Sequence, residues 1–231
     1  MKRVLFLFFM ISFMMISFMA AQSVTETEIT SEPSHHLVSD EWGGVRVFRV
    51  EVGPHAATVL HRHRRDYVSV TLGDARILNE VEGKPPVDLK LNDGDTRFTP
   101  GNFAHTVKNL TDQPFRNVTI ELPSEWKTRH APSSRGKESG EETFPGGHIK
   151  TLFVKDGVRV SEINLDPGAT VPKHRYDGRH LVVAISDLDL RSDIDGMDPM
   201  SLKFESGDAR WLPGGYTNTG VRAARFVTLG F

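Results

Sequence analysis

The chain has 231 residues, of which 38% are hydrophobic and 25% are charged, and it contains no cysteine. This composition is ordinary for a globular protein, and it excludes a disordered or fibrous chain. The lack of cysteine excludes disulfide bonds, thiol catalysis and cysteine-ligated metals. A formal net charge of −2 gives no overall cationic character for binding nucleic acid. We therefore expect small molecules or other proteins as partners.

The first 21 residues have the pattern of a secretory signal peptide. Lys2 and Arg3 form a basic end, residues 4–21 carry no charge, and the segment ends on two alanines. A polar tail over residues 22–36 follows. The pattern predicts export to the periplasm or the medium, with no membrane contact after cleavage. The uncharged stretch is also long enough for an uncleaved membrane anchor, which is the alternative.

Short runs of alternating apolar and polar residues follow the tail. Residues 45–52 and 67–72 alternate in this way, and Gly or Asp-Gly turns separate such runs. Alternation with a period of two is typical of half-buried strands. No stretch beyond the N-terminal segment has the 3.6-residue apolar period of a helix. The sequence therefore predicts an all-β unit over residues 37–122, of the small-barrel or jelly-roll type.

A group of candidate metal ligands lies within this first unit. His61 and His63 are two residues apart, so their side chains point to the same face of an extended strand. Asp66 is in phase with the apolar residues of the next run, and His105 follows a Pro-Gly turn. Three imidazoles and one carboxylate suit a divalent transition metal, either iron, manganese, zinc, nickel or copper. Such a set leaves coordination positions open for water or substrate.

The second half of the chain repeats the first. A shift of 113 residues aligns residues 44–106 with the later sequence without a gap, so that His61 recurs as His174. We interpret this as a tandem duplication that gives two barrels, the second over residues 150–231. Residues 123–149 between the units are polar and contain a Gly/Ser-rich stretch, which predicts a linker.

The second unit does not keep the ligand set. With the same shift, the four candidate ligands correspond to His174, Tyr176, Arg179 and Asn218. An arginine repels a divalent cation, and a single imidazole with a phenol and an amide is a poor set of ligands for one. The sequence therefore predicts one metal ion per chain, bound in the first unit.

The same residues resemble the two motifs of the cupin superfamily. The first motif corresponds to Gly53, His61, His63, Asp66 and Gly73, and the second to Gly94, Pro100, Gly101, His105 and Asn109. The resemblance implies two tandem jelly-roll barrels, with the three histidines and the acidic residue as metal ligands. The acidic residue departs from the family pattern, because it is aspartate rather than glutamate and lies one residue earlier. Its shorter side chain reaches the metal directly, through water, or not at all.

The resemblance leaves the reaction open, because the family includes dioxygenases, isomerases, decarboxylases and seed-storage proteins. The leading interpretation is an exported protein that holds one divalent metal in its first barrel and binds or transforms a small molecule. The alternative is a non-catalytic envelope protein, ligand-binding or structural, without metal. Because cupin-like sheets often pair across exposed edges, a homo-oligomer is compatible with either interpretation.

Overall fold

Strands make up most of the structure. The computed structural model describes residues 26–123, 140–172, 179–192, 199–213 and 215–231. In these ranges the strands are accompanied by two short 3-10 helices, Ile29–Ser31 and Trp42–Gly44. Neither helix approaches the length and apolarity that crossing a membrane requires. The prediction of an all-β chain is confirmed, and the predicted signal peptide lies outside the described residues.

The first half forms two five-stranded sheets. Its strands are β1 (Thr27–Glu28), β2 (His35–Glu41), β3 (Val45–Val52), β4 (His61–His63), β5 (Tyr67–Leu72), β6 (Ala75–Val81), β7 (Val87–Leu91), β8 (Thr96–Thr99), β9 (Phe103–Asn109) and β10 (Phe115–Glu121). One sheet has the order β1-β4-β9-β6-β7, and the other has the order β2-β3-β10-β5-β8. β1 pairs with β4 in parallel, whereas the pairs from β2 to β10 are antiparallel. This two-sheet arrangement is that of a jelly roll.

The second half forms a six-stranded and a three-stranded sheet. Its strands are β11 (Gly140–Phe144), β12 (Gly147–Lys155), β13 (Val158–Leu165), β14 (Arg179–Ala184), β15 (Leu188–Ser192), β16 (Met200–Phe204), β17 (Ala209–Pro213), β18 (Tyr216–Asn218) and β19 (Ala224–Gly230). The larger sheet has the order β11-β12-β13-β19-β14-β17, and the smaller has the order β16-β15-β18.

The first-half sheet β2-β3-β10-β5-β8 and the six-stranded sheet of the second half share one apolar core. In the first half this core includes Val68 and Val70 of β5, and in the second half it includes Leu181 of β14 and Val227 of β19. Successive side chains of a strand point to opposite faces. The alternating valines of β5 therefore face the second half, and Tyr67 and the residues in phase with it face the interior of their own barrel.

Two segments that were predicted to be irregular contain strands. Residues 26–36 of the predicted tail form β1 and begin β2, and residues 140–149 of the predicted linker form β11 and begin β12. Backbone pairing at a sheet edge does not need an apolar side-chain pattern, so these polar strands escape detection in the sequence. Residues 124–139 of the predicted linker lie outside the described part of the chain.

Candidate metal centre

Four histidine side chains lie close together in the first barrel. His61 and His63 lie on β4, and His105 lies on β9 directly opposite His61. His35 on β2 joins them from the other sheet. The ring centroids are 4.5 Å apart for His61 and His105, 4.8 Å for His35 and His61, and 5.2 Å for His61 and His63. We call these residues the four-histidine cluster.

The spacing of His35, His61 and His63 suits a single ion, whereas His105 lies outside this closely spaced group. One nitrogen each from His35, His61 and His63 lie within 4.8 Å of one another. Two nitrogens bound to one ion at 2.0–2.1 Å are at most about 4.2 Å apart. A small inward movement of the rings is therefore enough to bring these nitrogens onto a shared metal.

The Nδ1 atom of each ring faces an acceptor outside the cluster. The contacts are His35 with Glu32 Oε2 at 2.6 Å, His61 with the Val59 carbonyl at 2.9 Å, His105 with Asn79 Oδ1 at 2.7 Å and His63 with Glu121 Oε1 at 3.6 Å. The first three are hydrogen bonds, and the fourth is a longer electrostatic contact. In the first three rings the acceptor places the proton on Nδ1 and leaves the Nε2 lone pair for a metal. Nδ1 of His63 is buried and makes no hydrogen bond in the described residues.

Two of the Nε2 atoms are buried without a partner. Within the described residues, Nε2 of His61 and of His105 is fully buried and makes no hydrogen bond. The residues themselves are 1% and 6% exposed. Because burying a polar atom without a partner costs free energy, native structures rarely leave such atoms unsatisfied. A metal ion bound to both atoms accounts for this arrangement.

Burial also sets the protonation state of the cluster. It lowers the pKa of His61 to about 4 and, together with the neighbouring histidines, lowers the pKa of His105 to about 2. Burial lowers the pKa of His63 as well, although Glu121 opposes this shift. These three rings are therefore neutral at neutral pH, which is the form that binds metal.

A buried ion pair between Arg46 and Glu121 contacts His63 of the cluster. Glu121 is fully buried and accepts hydrogen bonds from the Arg46 guanidinium. Burial raises the pKa of Glu121, but the contact with His63 and the charge of Arg46 outweigh it, so the net pKa is lowered. The carboxylate is therefore ionised and holds the His63 ring in place.

A cavity of about 490 Å³ opens beside the four-histidine cluster, inside the first barrel. Residues of both sheets line it, and they include all four histidines. The volume lies in the range of small-molecule binding pockets, about 300–1,000 Å³.

Solved structures of oxalate decarboxylase have the same fold. One that addresses substrate binding and a reaction-specificity switch matches with a TM-score of 0.55 and 14% identity, over 80% of this chain and 68% of that chain. The Bacillus subtilis enzyme at pH 4.6 matches with a TM-score of 0.54 at the same identity, over 80% and 67% of the two chains. This chain has the bicupin fold. A structure that concerns the Mn(II) centres of the Bacillus subtilis enzyme matches with a TM-score of 0.52 and 14% identity, over 80% and 68%.

The bicupin assignment confirms the cupin-type fold predicted from the two motifs. At 14% identity the likeness establishes the fold and does not transfer an activity. No family model matches the sequence, and no curated protein matches it either.

Asp66, a predicted ligand, lies outside the four-histidine cluster. Its Oδ1 atom accepts a hydrogen bond from the Gly101 backbone at 2.9 Å, and the residue does not line the cavity. The reason is strand phase, because Asp66 is in phase with Val68 and Val70, which face the second half. A Cβ at Gly101 would lie 2.5 Å from the Arg65 backbone, so Asp66 anchors a closely packed turn.

His35 is the cluster residue that sequence reasoning missed. It belongs to the segment predicted to be a polar tail, and no motif spacing connects it with His61. Its position depends on the pairing of β2 with β3, which places His35 opposite Val50. The only local signal is Glu32, three residues earlier, which receives the Nδ1 contact.

Among the described residues of the second half, none takes the strand position of His105, and Asn218 has a different role from the one predicted. Asn218 donates to the carbonyls of Leu165 and Arg222, as Asn109 donates to those of Val52 and Gln113. Asn218 also lies opposite Leu190, as Asn109 lies opposite Ile77. Asn218 therefore corresponds to Asn109, at a shift of 109 residues rather than 113.

The changed shift locates a deletion. The second half is four residues shorter between its Pro-Gly turn and β18, and the missing residues are the counterparts of residues 102–105. His174 and Tyr176 lie outside the described residues. The degenerate site of the second half stays a prediction, and the register of the described strands adds that the stretch corresponding to His105 is missing there.

Proposed function

We propose that this protein holds one divalent transition metal ion in its first barrel and binds or transforms a small molecule in the adjoining cavity. The proposed ligands are the Nε2 atoms of the four-histidine cluster. Asp66, which the cupin motif assigns to the metal, is left out because it anchors Gly101.

The observation that carries the proposal is the shared orientation of the histidines. Nδ1 of His35, His61 and His105 is hydrogen-bonded to an acceptor outside the cluster, and the buried Nε2 atoms of His61 and His105 have no hydrogen-bond partner in the described residues. Metal-ligating histidines in proteins almost always have such an outer acceptor. A relic site without metal would leave the cost of these buried nitrogens without compensation.

The ligand chemistry narrows the choice of metal. Imidazole ligands suit zinc, copper, iron and nickel, whereas manganese and magnesium prefer carboxylate and water oxygens. An ion held by these neutral imidazoles would keep its positive charge and would supply Lewis-acid chemistry toward a substrate oxygen. Tyr67 stacks on His63 with 4.3 Å between the ring centroids, and burial raises its pKa to about 12, so it stays protonated beside the site.

X-ray absorption spectroscopy of the metal-loaded protein tests this ligand set. We expect a first shell with four imidazole nitrogens, together with water or substrate oxygen. An Asp66→Asn variant is the matched control and should give an unchanged spectrum. Loss of an oxygen ligand in this variant would show that Asp66 is a metal ligand. A protein that takes up no metal would refute the proposal and favour the metal-free binding or structural alternative.

We also propose that residues 1–21 direct export and are then removed. The basic end, the uncharged stretch and the two alanines support this proposal. Intact-mass analysis of protein recovered from the envelope or medium tests it. A membrane-bound species that keeps the first 21 residues would establish the anchor instead.

A further inference from the structure

The segment from β1 to the first residue of β2 links the two sheets of the first half. It comprises residues 26–35, and we call it the N-terminal strap. β1 pairs with β4 over two residues at the edge of its sheet, and the ion pairs Glu26–Arg62 and Glu28–Arg64 add to this pairing. A two-residue pairing at a sheet edge and ion pairs in contact with solvent contribute little stability. This end of the strap is therefore weakly held.

Buried side chains hold the rest of the strap. Ile29 is 1% exposed and packs in the apolar core of the first barrel. Glu32 is 2% exposed, although glutamate is rarely buried unless it is paired. Within the described residues no lysine or arginine pairs with this carboxylate, and its ion-pair contact is with His35. Burial raises the pKa of Glu32, but the hydrogen bonds that it accepts outweigh burial, so the net pKa is lowered and the carboxylate is ionised at neutral pH.

The Glu32 carboxylate supports two residues of the four-histidine cluster. Its Oε2 atom lies 2.6 Å from Nδ1 of His35 and accepts a hydrogen bond from the Ser34 amide at 2.7 Å. Its Oε1 atom accepts a hydrogen bond from the Val59 amide at 3.2 Å. The carbonyl of Val59 in turn accepts a hydrogen bond from Nδ1 of His61 at 2.9 Å. Glu32 thus contacts His35 directly and holds the residue that orients His61.

Metal binding and the contacts of Glu32 should strengthen each other. A carboxylate at Nδ1 fixes the orientation of the ring and raises the basicity of the ligating nitrogen. A bound cation in turn offsets the charge of a carboxylate that has lost its hydration. Coupling of this kind is reciprocal, so a residue that favours metal binding is itself held more firmly once metal is bound.

We propose that Glu32 is a positioning residue for His35 and His61, and that it makes metal binding and docking of the N-terminal strap depend on each other. The metal end of this inference rests on the proposed function. The strap stays docked when metal is bound and opens more often when metal is absent.

Competition titration of the full chain with zinc and a chelator tests the positioning role. Glu32→Gln keeps the shape of the side chain but removes one of its two acceptor oxygens, and it should weaken zinc binding about 10–100-fold. Glu28→Gln is the matched control, because it makes the same change in the strap at a residue that contacts Arg64 instead of the cluster. The control should bind zinc within about threefold of the wild type. Equal affinity of Glu32→Gln and the wild type would overturn the inference.

The His35→Ala background separates the two ligands. If Glu32 acts through both His35 and His61, Glu32→Gln should still weaken zinc binding in this background, but by a smaller factor than in the wild type. No effect there would leave His35 as the only ligand that Glu32 positions, and an undiminished effect would exclude action through His35. Either result would overturn the role at two ligands.

Electron paramagnetic resonance of the copper(II)-loaded chain distinguishes positioning from a contribution to stability alone. The spectrum should change in Glu32→Gln, because the orientation and basicity of a ligating imidazole change. It should stay as in the wild type in Glu28→Gln. An unchanged spectrum in Glu32→Gln would contradict the positioning role.

Hydrogen exchange of backbone amides tests docking of the strap in the wild-type chain, where no substitution disturbs folding. The Thr27 amide donates to the Leu60 carbonyl at 2.9 Å, and it reports docking of β1. Zinc should slow its exchange at least about tenfold, and Glu32→Gln should lose most of this protection. The Val171 amide, which donates to the Tyr216 carbonyl in the second half, is the control and should be slowed much less. An equal effect of zinc on both amides, or none on Thr27, would overturn the coupling.

Metal uptake by the wild type separates the two proposals. A wild-type chain that takes up no metal contradicts the proposed function, and the inference fails with it. A chain that binds zinc as tightly after Glu32→Gln as before contradicts only the inference about Glu32 and the strap.

Discussion

Replacing His35 by alanine separates the structural account of the metal centre from an account based on the cupin motifs alone. The motifs do not include His35, whereas the structure places its ring centroid 4.8 Å from that of His61. The substitution removes one proposed ligand and leaves the three motif histidines intact. We therefore expect a large loss of metal affinity in a protein that still folds.

The general behaviour of metal-ligating histidines sets the scale of this loss. Substituting an outer partner of a ligating histidine costs about 10–100-fold in metal affinity. A direct ligand should cost at least the upper end, about 100-fold or 2.7 kcal/mol. The metal-free protein should lose about 1–2 kcal/mol of unfolding free energy, because Glu32 loses the contact with His35 and keeps those with the backbone of Ser34 and Val59.

Competition titration with a metal chelator measures the affinity, and urea unfolding of the metal-free protein measures stability. His36→Ala is the matched control, because His36 is the exposed neighbour on the opposite face of β2 and should behave as wild type. Wild-type metal affinity in His35→Ala would refute the four-histidine ligand set.

Three further predictions follow from the same structure. Replacing His61, His63 or His105 by alanine should in each case remove most of the bound metal, whereas the Asp66→Ala variant should keep its metal. Metal analysis of the purified variants measures this. Metal loss in Asp66→Ala together with retained metal in His105→Ala would contradict the prediction. Val70→Ala should lower the unfolding free energy by about 1–3 kcal/mol, because Val70 is fully buried between the two halves; a loss below about 0.5 kcal/mol in urea unfolding would contradict the shared core. The metal-free protein should lose stability as the pH falls from about 6.5 to about 4, because His61 then binds a proton in the unfolded chain but not in the folded one. This acid-induced loss should be smaller in His61→Gln, and equal losses in the two proteins would contradict the assignment.

The sequence was sufficient to predict the all-β class and the cupin-type fold. Alternation with a period of two does not depend on tertiary detail, and the His-x-His pair fixes which face of β4 both imidazoles share. His61, His63 and His105 lie together in the structure, as their spacing indicated.

The position of Asp66 could not be predicted, because β5 is buried on both faces. An alternating apolar pattern normally marks the core side of a strand, and the valines of β5 were interpreted in that way. They form the core between the two halves, whereas the barrel interior is lined by Tyr67, Ser69 and Thr71. Asp66 does share a strand face with Val68 and Val70, as predicted, but this face contacts the second half and not the interior of the first barrel.

The place of His35 in the cluster and the match of Asn218 with Asn109 could not be predicted from local sequence. His35 reaches the cluster only because β2 pairs with β3, a contact between segments that no local pattern encodes. Asn218 was aligned with His105 because the repeat was matched without a gap. The hydrogen bonds of Asn218 reveal the four-residue deletion that the sequence comparison did not.

The most direct test of the account is the metal content of the purified protein, by elemental analysis after expression in metal-replete medium. The account predicts about one transition-metal ion per chain, bound by the first barrel and absent when His61 and His105 are both replaced. Two ions per chain, or none under any metal supply, would contradict it.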